Sequence, residues 1–135
     1  MQDNATATIE EILRTCRTIA VVGASSDPAR PSYRVAGYMK AQGYRMIPVN
    51  PNEQTILGEQ VYPSLTSVPG TIDLVDVFRR AEDVLPIVEE AITKSAKAIW
   101  LQEGIVNEAA AAHAKAAGLL VVMDRCWLKE YSRRL

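Results

Sequence analysis

Short polar stretches interrupt an otherwise apolar chain, and several carry residues suited to holding an anion. Gly23-Ala24-Ser25 sets a glycine and two small residues directly after the apolar run Thr18-Ile19-Ala20-Val21-Val22. Small residues let backbone N–H groups approach a phosphate, and a helix starting near Ser32 turns its positive end to the same place. Arg30 and Arg34 add charge nearby, and Tyr33 lies between them. A tight strand-to-helix turn that needs Gly23 only for its backbone angle explains the same glycine without a ligand. Phe78-Arg79-Arg80 places two guanidinium forks side by side, a pairing suited to phosphate. A helix start otherwise disfavours cations, which argues for an anion there. Phe78, the only phenylalanine, suits either an adenine face or the core. Asn50, just before Pro51, suits either a ribose or base edge or a plain turn. Cys126 sits between Arg125 and Trp127. An adjacent cation favours its thiolate, whereas burial beside the indole makes it inert.

These stretches share a place in the pattern of elements. Ile9, Ile12, Leu13 and Cys16 recur at helical spacing and predict an amphipathic N-terminal helix. Five apolar runs read as strands: 18–22, 44–49, 73–78, 98–101 and 119–123. Helices are predicted over 33–42, with Ser32 as N-cap and Gly43 just beyond, and over 82–94, with Pro86 in the first turn. Two more are predicted over 107–117, which is rich in alanine, and over 128–134. Residues 52–63 read as a polar excursion and 64–69 as a helical turn. Alternating strands and helices predict an α/β fold, a Rossmann-like five-stranded parallel sheet in the order 3-2-1-4-5 with helices on both faces. One domain over residues 1–135 is expected, with the helix of residues 1–17 packed on it. In such a sheet, ligands bind beyond the C-terminal strand ends, where the polar stretches fall.

Composition narrows the chemistry. The chain has 135 residues and a formal net charge of −1, so no global basic field points to nucleic acid or an anionic membrane. Two cysteines and one histidine exclude a four-cysteine zinc site and a multi-histidine metal site. No metal is expected. No signal-peptide pattern and no apolar run of membrane-spanning length occurs, so a cytoplasmic setting is expected. The first loop lacks the G-x-G-x-x-G dinucleotide fingerprint, and Val49-Asn50-Pro51 lacks the acid that reads an NAD ribose.

Taken in order, Val21-Val22-Gly23-Ala24-Ser25, Arg30-Pro31-Ser32-Tyr33, Ile47-Pro48-Val49-Asn50-Pro51 and Val75-Asp76-Val77-Phe78-Arg79-Arg80 resemble a known family. Trp100-Leu101-Gln102-Glu103-Gly104-Ile105 and Val121-Val122-Met123-Asp124-Arg125-Cys126 extend the resemblance. The family is the small stand-alone CoA-binding domain proteins (YccU-like), related to the N-terminal domain of the succinyl-CoA synthetase α subunit. The resemblance implies a Rossmann-type fold and coenzyme A, or an acyl-CoA, as ligand. By position, Gly23, Ala24 and Ser25 would meet the diphosphate, and Arg30, Ser32 and Tyr33 would close the phosphate side. Asn50 and Pro51 would line the nucleotide region, and Phe78, Arg79 and Arg80 would border the ligand further along. The 135 residues offer no counterpart of the synthetase's phosphohistidine domain, so ligase activity is not expected of them, and His113 lies in the alanine-rich helix without a surrounding motif. A binding module without catalytic residues is therefore the expected function. An NAD(P)-binding oxidoreductase-like domain, or an enzyme using Cys126 for redox or acyl chemistry, are the alternatives. Exposed Trp127 and Tyr131 would suit a protein partner or a homo-oligomer, or would cap the sheet.

Overall fold

The structure is a computed structural model and describes residues 4–134. The N-terminal helix α1 (Asn4–Thr15) leads into β1 (Thr18–Val22), α2 (Pro31–Ala41) and β2 (Arg45–Val49). Two short strands, β3 (Thr55–Ile56) and β4 (Glu59–Gln60), form an antiparallel hairpin. A 3-10 turn over Leu65–Ser67 then precedes β5 (Leu74–Val77). The rest alternates as α3 (Val84–Thr93), β6 (Ala98–Leu101), α4 (Glu108–Ala116), β7 (Leu120–Val122) and α5 (Trp127–Ser132). Residues 1–3 of the expected N-terminal segment lie outside the described residues.

The five longer strands form one parallel sheet in the order β2-β1-β5-β6-β7. The α/β Rossmann-like class is as the sequence predicts, but the strand order is not. Counted along the chain, the parallel strands run 2-1-3-4-5 rather than 3-2-1-4-5. The reason lies in β5, which is buried at all four residues. It pairs with β1 on one side (Ile19↔Leu74) and β6 on the other (Leu74↔Ala98). A place beyond β2 would leave one of its backbone rows unpaired in an apolar setting. That place is taken by the segment read as a polar excursion. Tyr62 bridges to Val49, Asn50 N donates to Tyr62 O at 2.9 Å, and Tyr62 N donates to Pro48 O at 3.1 Å. Lys40 on α2 holds the hairpin in place: its Nζ donates to Leu57 O at 2.7 Å and lies 2.9 Å from Glu59.

Each sheet face carries its own apolar cluster. Ile9, Ile12, Leu13 and Cys16 of the α1 segment pack with Val35, Ala36 and Met39 of α2, with Trp127 of α5, and with Val21 and Trp100 of the sheet. Burial there pushes the Cys16 thiol up. On the other face, Val84, Ile87 and Val88 of α3 and Ala110 and Ala114 of α4 cover Val22, Val75 and Ile99. His113 sits on the exposed side of α4 and hydrogen-bonds Glu89 of α3, an ordinary surface role.

Trp127 corrects the expectation of an exposed aromatic: it is fully buried. Its ring stands edge-on to Tyr44 at 5.1 Å and stacks on the half-buried Tyr131 at 5.2 Å. The chain after β7 turns back over the α2 face, and an indole's large apolar area favours that interior position over solvent.

Candidate functional site

The winding of the sheet reverses between β1 and β5. From β1 the chain passes through α2 to β2 on one side; from β5 it passes through α3 and β6 to β7 on the other. The loops leaving β1 and β5 therefore diverge, and a crevice opens at their C-terminal ends. The corrected order thus brings Gly23 beside Phe78, because their strands are direct neighbours.

That approach is close. Gly23 has φ +90°, and a Cβ there would lie 2.7 Å from the Phe78 carbonyl oxygen. Phe78 N donates to Val22 O at 2.8 Å, and Gly23 N donates to Val49 O at 3.0 Å. The ends of β2, β1 and β5 are thereby tied at one level. Asn50 extends the tie, with its Nδ2 donating to Ala24 O and its Oδ1 accepting from Asn52 N, both at 2.8 Å. Ser25 Oγ accepts from Asp27 N at 3.0 Å, and Asp27 Oδ1 accepts from Ala29 N at 2.9 Å, so the loop turns toward α2 by local side-chain bonds.

The start of α2 differs from expectation. Arg30 is the N-cap in extended geometry and Pro31 is the first helical residue, where its missing N–H costs nothing. Ser32, expected as the cap, is buried inside the first turn.

A cleft of about 430 Å³ at this crevice gathers Gly23, Ser25, Arg30, Ser32, Phe78, Arg79 and Arg80. A second cleft, of about 410 Å³, opens beside α3 and takes in Val49, Pro51, Leu65 and Ile87. Arg79 lines both. Ala24, Tyr33, Arg34 and Asn50 are outside both linings; Ala24 is buried, and Asn50 works behind the loop. The cations in the crevice are loosely held. Arg80 lies 3.6 Å from Glu82 and 3.5 Å from Asp83, and Arg30 lies 4.0 Å from Asp27, all on exposed side chains. Such pairs contribute little, so exchange for a better-placed anion costs little.

The far wall is polar in a way that the sequence reading passed over. Gln102 lines the cleft, is 3% exposed, and donates from Nε2 to Asp76 Oδ1 beneath it. Asp76 is fully buried, and desolvation pushes its carboxyl up to about 8, opposed by the Gln102 bond. An acid inside the run Leu74-Val75-Asp76-Val77, buried on both faces, was the available signal. Cys126 also lines this cleft. Its loop is pinned by Trp100 Nε1, which donates to Arg125 O at 2.8 Å, and by Asp124 Oδ1, which accepts from Gly104 N at 2.7 Å. Among the described residues no cluster of side chains suits a metal ion, and no helix is long and apolar enough to cross a membrane.

A family model described as a CoA binding domain matches residues 17–132, nearly the whole of this architecture. The chain belongs to the CoA binding domain family. This CoA binding domain is 43% identical over 126 residues to the uncharacterized protein YneT of Bacillus subtilis, covering 93% of each chain. It superposes on a solved hypothetical protein from Pyrococcus horikoshii with a TM-score of 0.93, at 37% identity, covering 98% of this chain and 96% of that one. It is also 30% identical over 95 residues to acetate–CoA ligase (ADP-forming) II of Archaeoglobus fulgidus. That match takes in 68% of the CoA binding domain but only 14% of the ligase.

Proposed function

We propose that the protein binds coenzyme A, or an acyl thioester of it, across the crevice between β1 and β5. The observation that carries this reading is the position of Arg79, which faces two adjoining clefts at once. A ligand spanning both needs a central anion flanked by two unlike arms, and coenzyme A has that form. Its diphosphate would meet Gly23, Ser25 and the first turn of α2, with Arg30 and Ser32 on the phosphate side. The adenosine 3′-phosphate end would lie toward Asn50 and Pro51, and the pantetheine arm would run past Phe78, Arg79 and Arg80 toward Gln102 and Cys126. Each group that acts on the ligand in this reading binds or orients it.

Calorimetry on ligand-free protein tests the proposal with coenzyme A, dephospho-coenzyme A and NADH in parallel. Saturable heat from coenzyme A at micromolar concentration is expected, with weaker binding of the dephospho form and none of NADH. Binding of NADH in preference to coenzyme A would overturn the reading.

A further inference from the structure

The wall of the strand-end cleft holds an acceptor that nothing in the fold uses. Gln102 stands in that wall and is 3% exposed. Its Nε2 is turned down to Asp76 Oδ1, so its Oε1 points away from Asp76. Oε1 has no hydrogen-bond partner among the described residues. The partnerless side-chain atoms sealed from solvent there are Asp76 Oδ2 and Trp127 Nε1, so Oε1 keeps an opening, and the cleft is what it opens on. A nearly buried amide oxygen without a donor is costly. The position therefore suits a ligand N–H or S–H rather than a carbonyl.

Cys126 lies beside that acceptor. Arg125 N donates to Leu101 O at 3.4 Å, and Cys126 and Gln102 are each one residue further along. Cys126 is half-buried, is a free thiol, and lines the same cleft. Its place is fixed, because its carbonyl accepts from Glu130 N at 3.0 Å and Trp100 Nε1 holds the Arg125 carbonyl at 2.8 Å. Cys16, by contrast, is 1% exposed within the core. A thiol reacts only where a partner sulfur can approach it, which separates the two cysteines. Arg30, Arg79 and Arg80 line the rest of the cleft and draw an anionic reactant to it.

We propose that Cys126 is a covalent capture site for the thiol of coenzyme A, taken from coenzyme A disulfide as a mixed disulfide. This rests on the binding reading above and goes beyond it by adding a bond to the contacts. In coenzyme A, the last amide N–H of the pantetheine arm stands two carbons from the sulfur. With that N–H on Gln102 Oε1, the sulfur falls within roughly 4–7 Å of Oε1, a span that reaches the adjacent strand end.

The Cys126 thiolate attacks one sulfur of the disulfide. A bond from Sγ to that sulfur forms as the S–S bond breaks, and the second coenzyme A leaves as a thiolate that takes up the proton Cys126 released. One disulfide is consumed and one is formed, so no oxidant is needed beyond coenzyme A disulfide itself. An acyl thioester has no S–S bond to break and gives no such adduct. The site thus distinguishes the oxidised carrier from its acyl esters.

Intact-mass measurement of the full chain, incubated with coenzyme A disulfide in the absence of reductant, tests the proposal. One adduct per chain is expected, heavier by one coenzyme A less two hydrogens and removed by dithiothreitol. It should be absent in Cys126→Ser and present in Cys16→Ser. It should form at least roughly tenfold faster than the adduct from oxidised glutathione at equal concentration, because binding pre-places the sulfur. Gln102→Met, similar in size but without the acceptor, should lose most of that preference while iodoacetamide alkylates its Cys126 at close to the wild-type rate. Equal rates for the two disulfides in the wild-type chain would overturn the proposal, as would an adduct that survives Cys126→Ser or a preference that survives Gln102→Met. So would an unmodified Cys126 in a chain that binds reduced coenzyme A in the calorimeter. Neither heat nor adduct would overturn the binding reading and the proposal together. Selective capture without heat would support capture and overturn reversible binding.

Discussion

Gln102 Nε2 donates to Asp76 Oδ1 at 2.5 Å, joining the wall of the strand-end cleft to a carboxyl with no exposure to solvent. The second oxygen, Oδ2, has no hydrogen-bond partner among the described residues. Ionising a group so placed is costly, because its only partner is a neutral amide. The neutral acid, which also carries a donor, is the form that the surroundings favour.

Stability should therefore depend on pH through Asp76. The carboxyl titrates near 3.8 in the unfolded chain and about 8 in the fold. Between those values the folded state keeps a proton that the unfolded state has released. The contribution is complete below the lower value and is lost as pH rises through the upper one. Urea unfolding at pH 5 and pH 8 should show wild-type protein losing on the order of 3 kcal/mol more than Asp76→Asn over that interval. Equal slopes in the two proteins would remove Asp76 as the source.

Gly23→Ala places a methyl group against the Phe78 carbonyl in a backbone conformation that L residues rarely adopt. A loss of roughly 1–3 kcal/mol is expected, together with weaker coenzyme A binding. Gly43 has a similar φ of +94° but nothing within 4 Å of its added carbon. Gly43→Ala should cost about 1–2 kcal/mol, from backbone strain alone, and leave binding unchanged. Thermal melts and titrations of the two variants separate close approach from backbone strain alone.

Arg79→Ala removes the one side chain common to both clefts. The dissociation constant for coenzyme A should rise at least about tenfold, the scale of a lost charge-assisted contact. Arg34→Ala, outside both linings, should stay within about twofold of wild type. An Arg79 variant that binds as tightly as wild type would mean that the ligand does not bridge the clefts.

Asn50→Ala leaves the Ala24 carbonyl and the Asn52 amide without their side-chain partner. About 1–2 kcal/mol of stability should be lost. The affinity for coenzyme A should fall as well, because the first loop is no longer braced from behind. Hydrogen exchange at Ala24 and Ser25 would report the loosening directly.

Most of the fold was legible because the apolar runs are short, regular and bounded by glycine or proline. Ile9, Ile12, Leu13 and Cys16 named the buried face of α1 correctly. Strand order was not legible in the same way, because it depends on pairings between distant residues such as Ile19 and Leu74. Periodicity carries no information about which strand lies beside which. Within the site, loop positions after each strand were readable, and Gly23, Arg79 and Phe78 do meet. Asp76 was hidden by position: an acid that faces the interior of a strand is told from a solvated one only by the elements packed over it. Ser32 was misplaced by one of the commonest helix signals. Serine is a good N-cap, but Pro31 fixes the first helical residue and shifts the cap to Arg30.

The two tryptophans are both fully buried against the same face of the sheet. Neither indole ring meets water in the folded state, so the chain carries its own optical thermometer. Emission should be blue-shifted when native and move to longer wavelength in a single step as the core opens. Trp127 adjoins Cys126 in the cleft wall, whereas Trp100 belongs to β6 and is anchored by its bond to the Arg125 carbonyl. Replacing either one by phenylalanine would leave a single emitter, one beside the ligand crevice and one within the sheet. Occupancy and unfolding can then be followed in the same cuvette without a label.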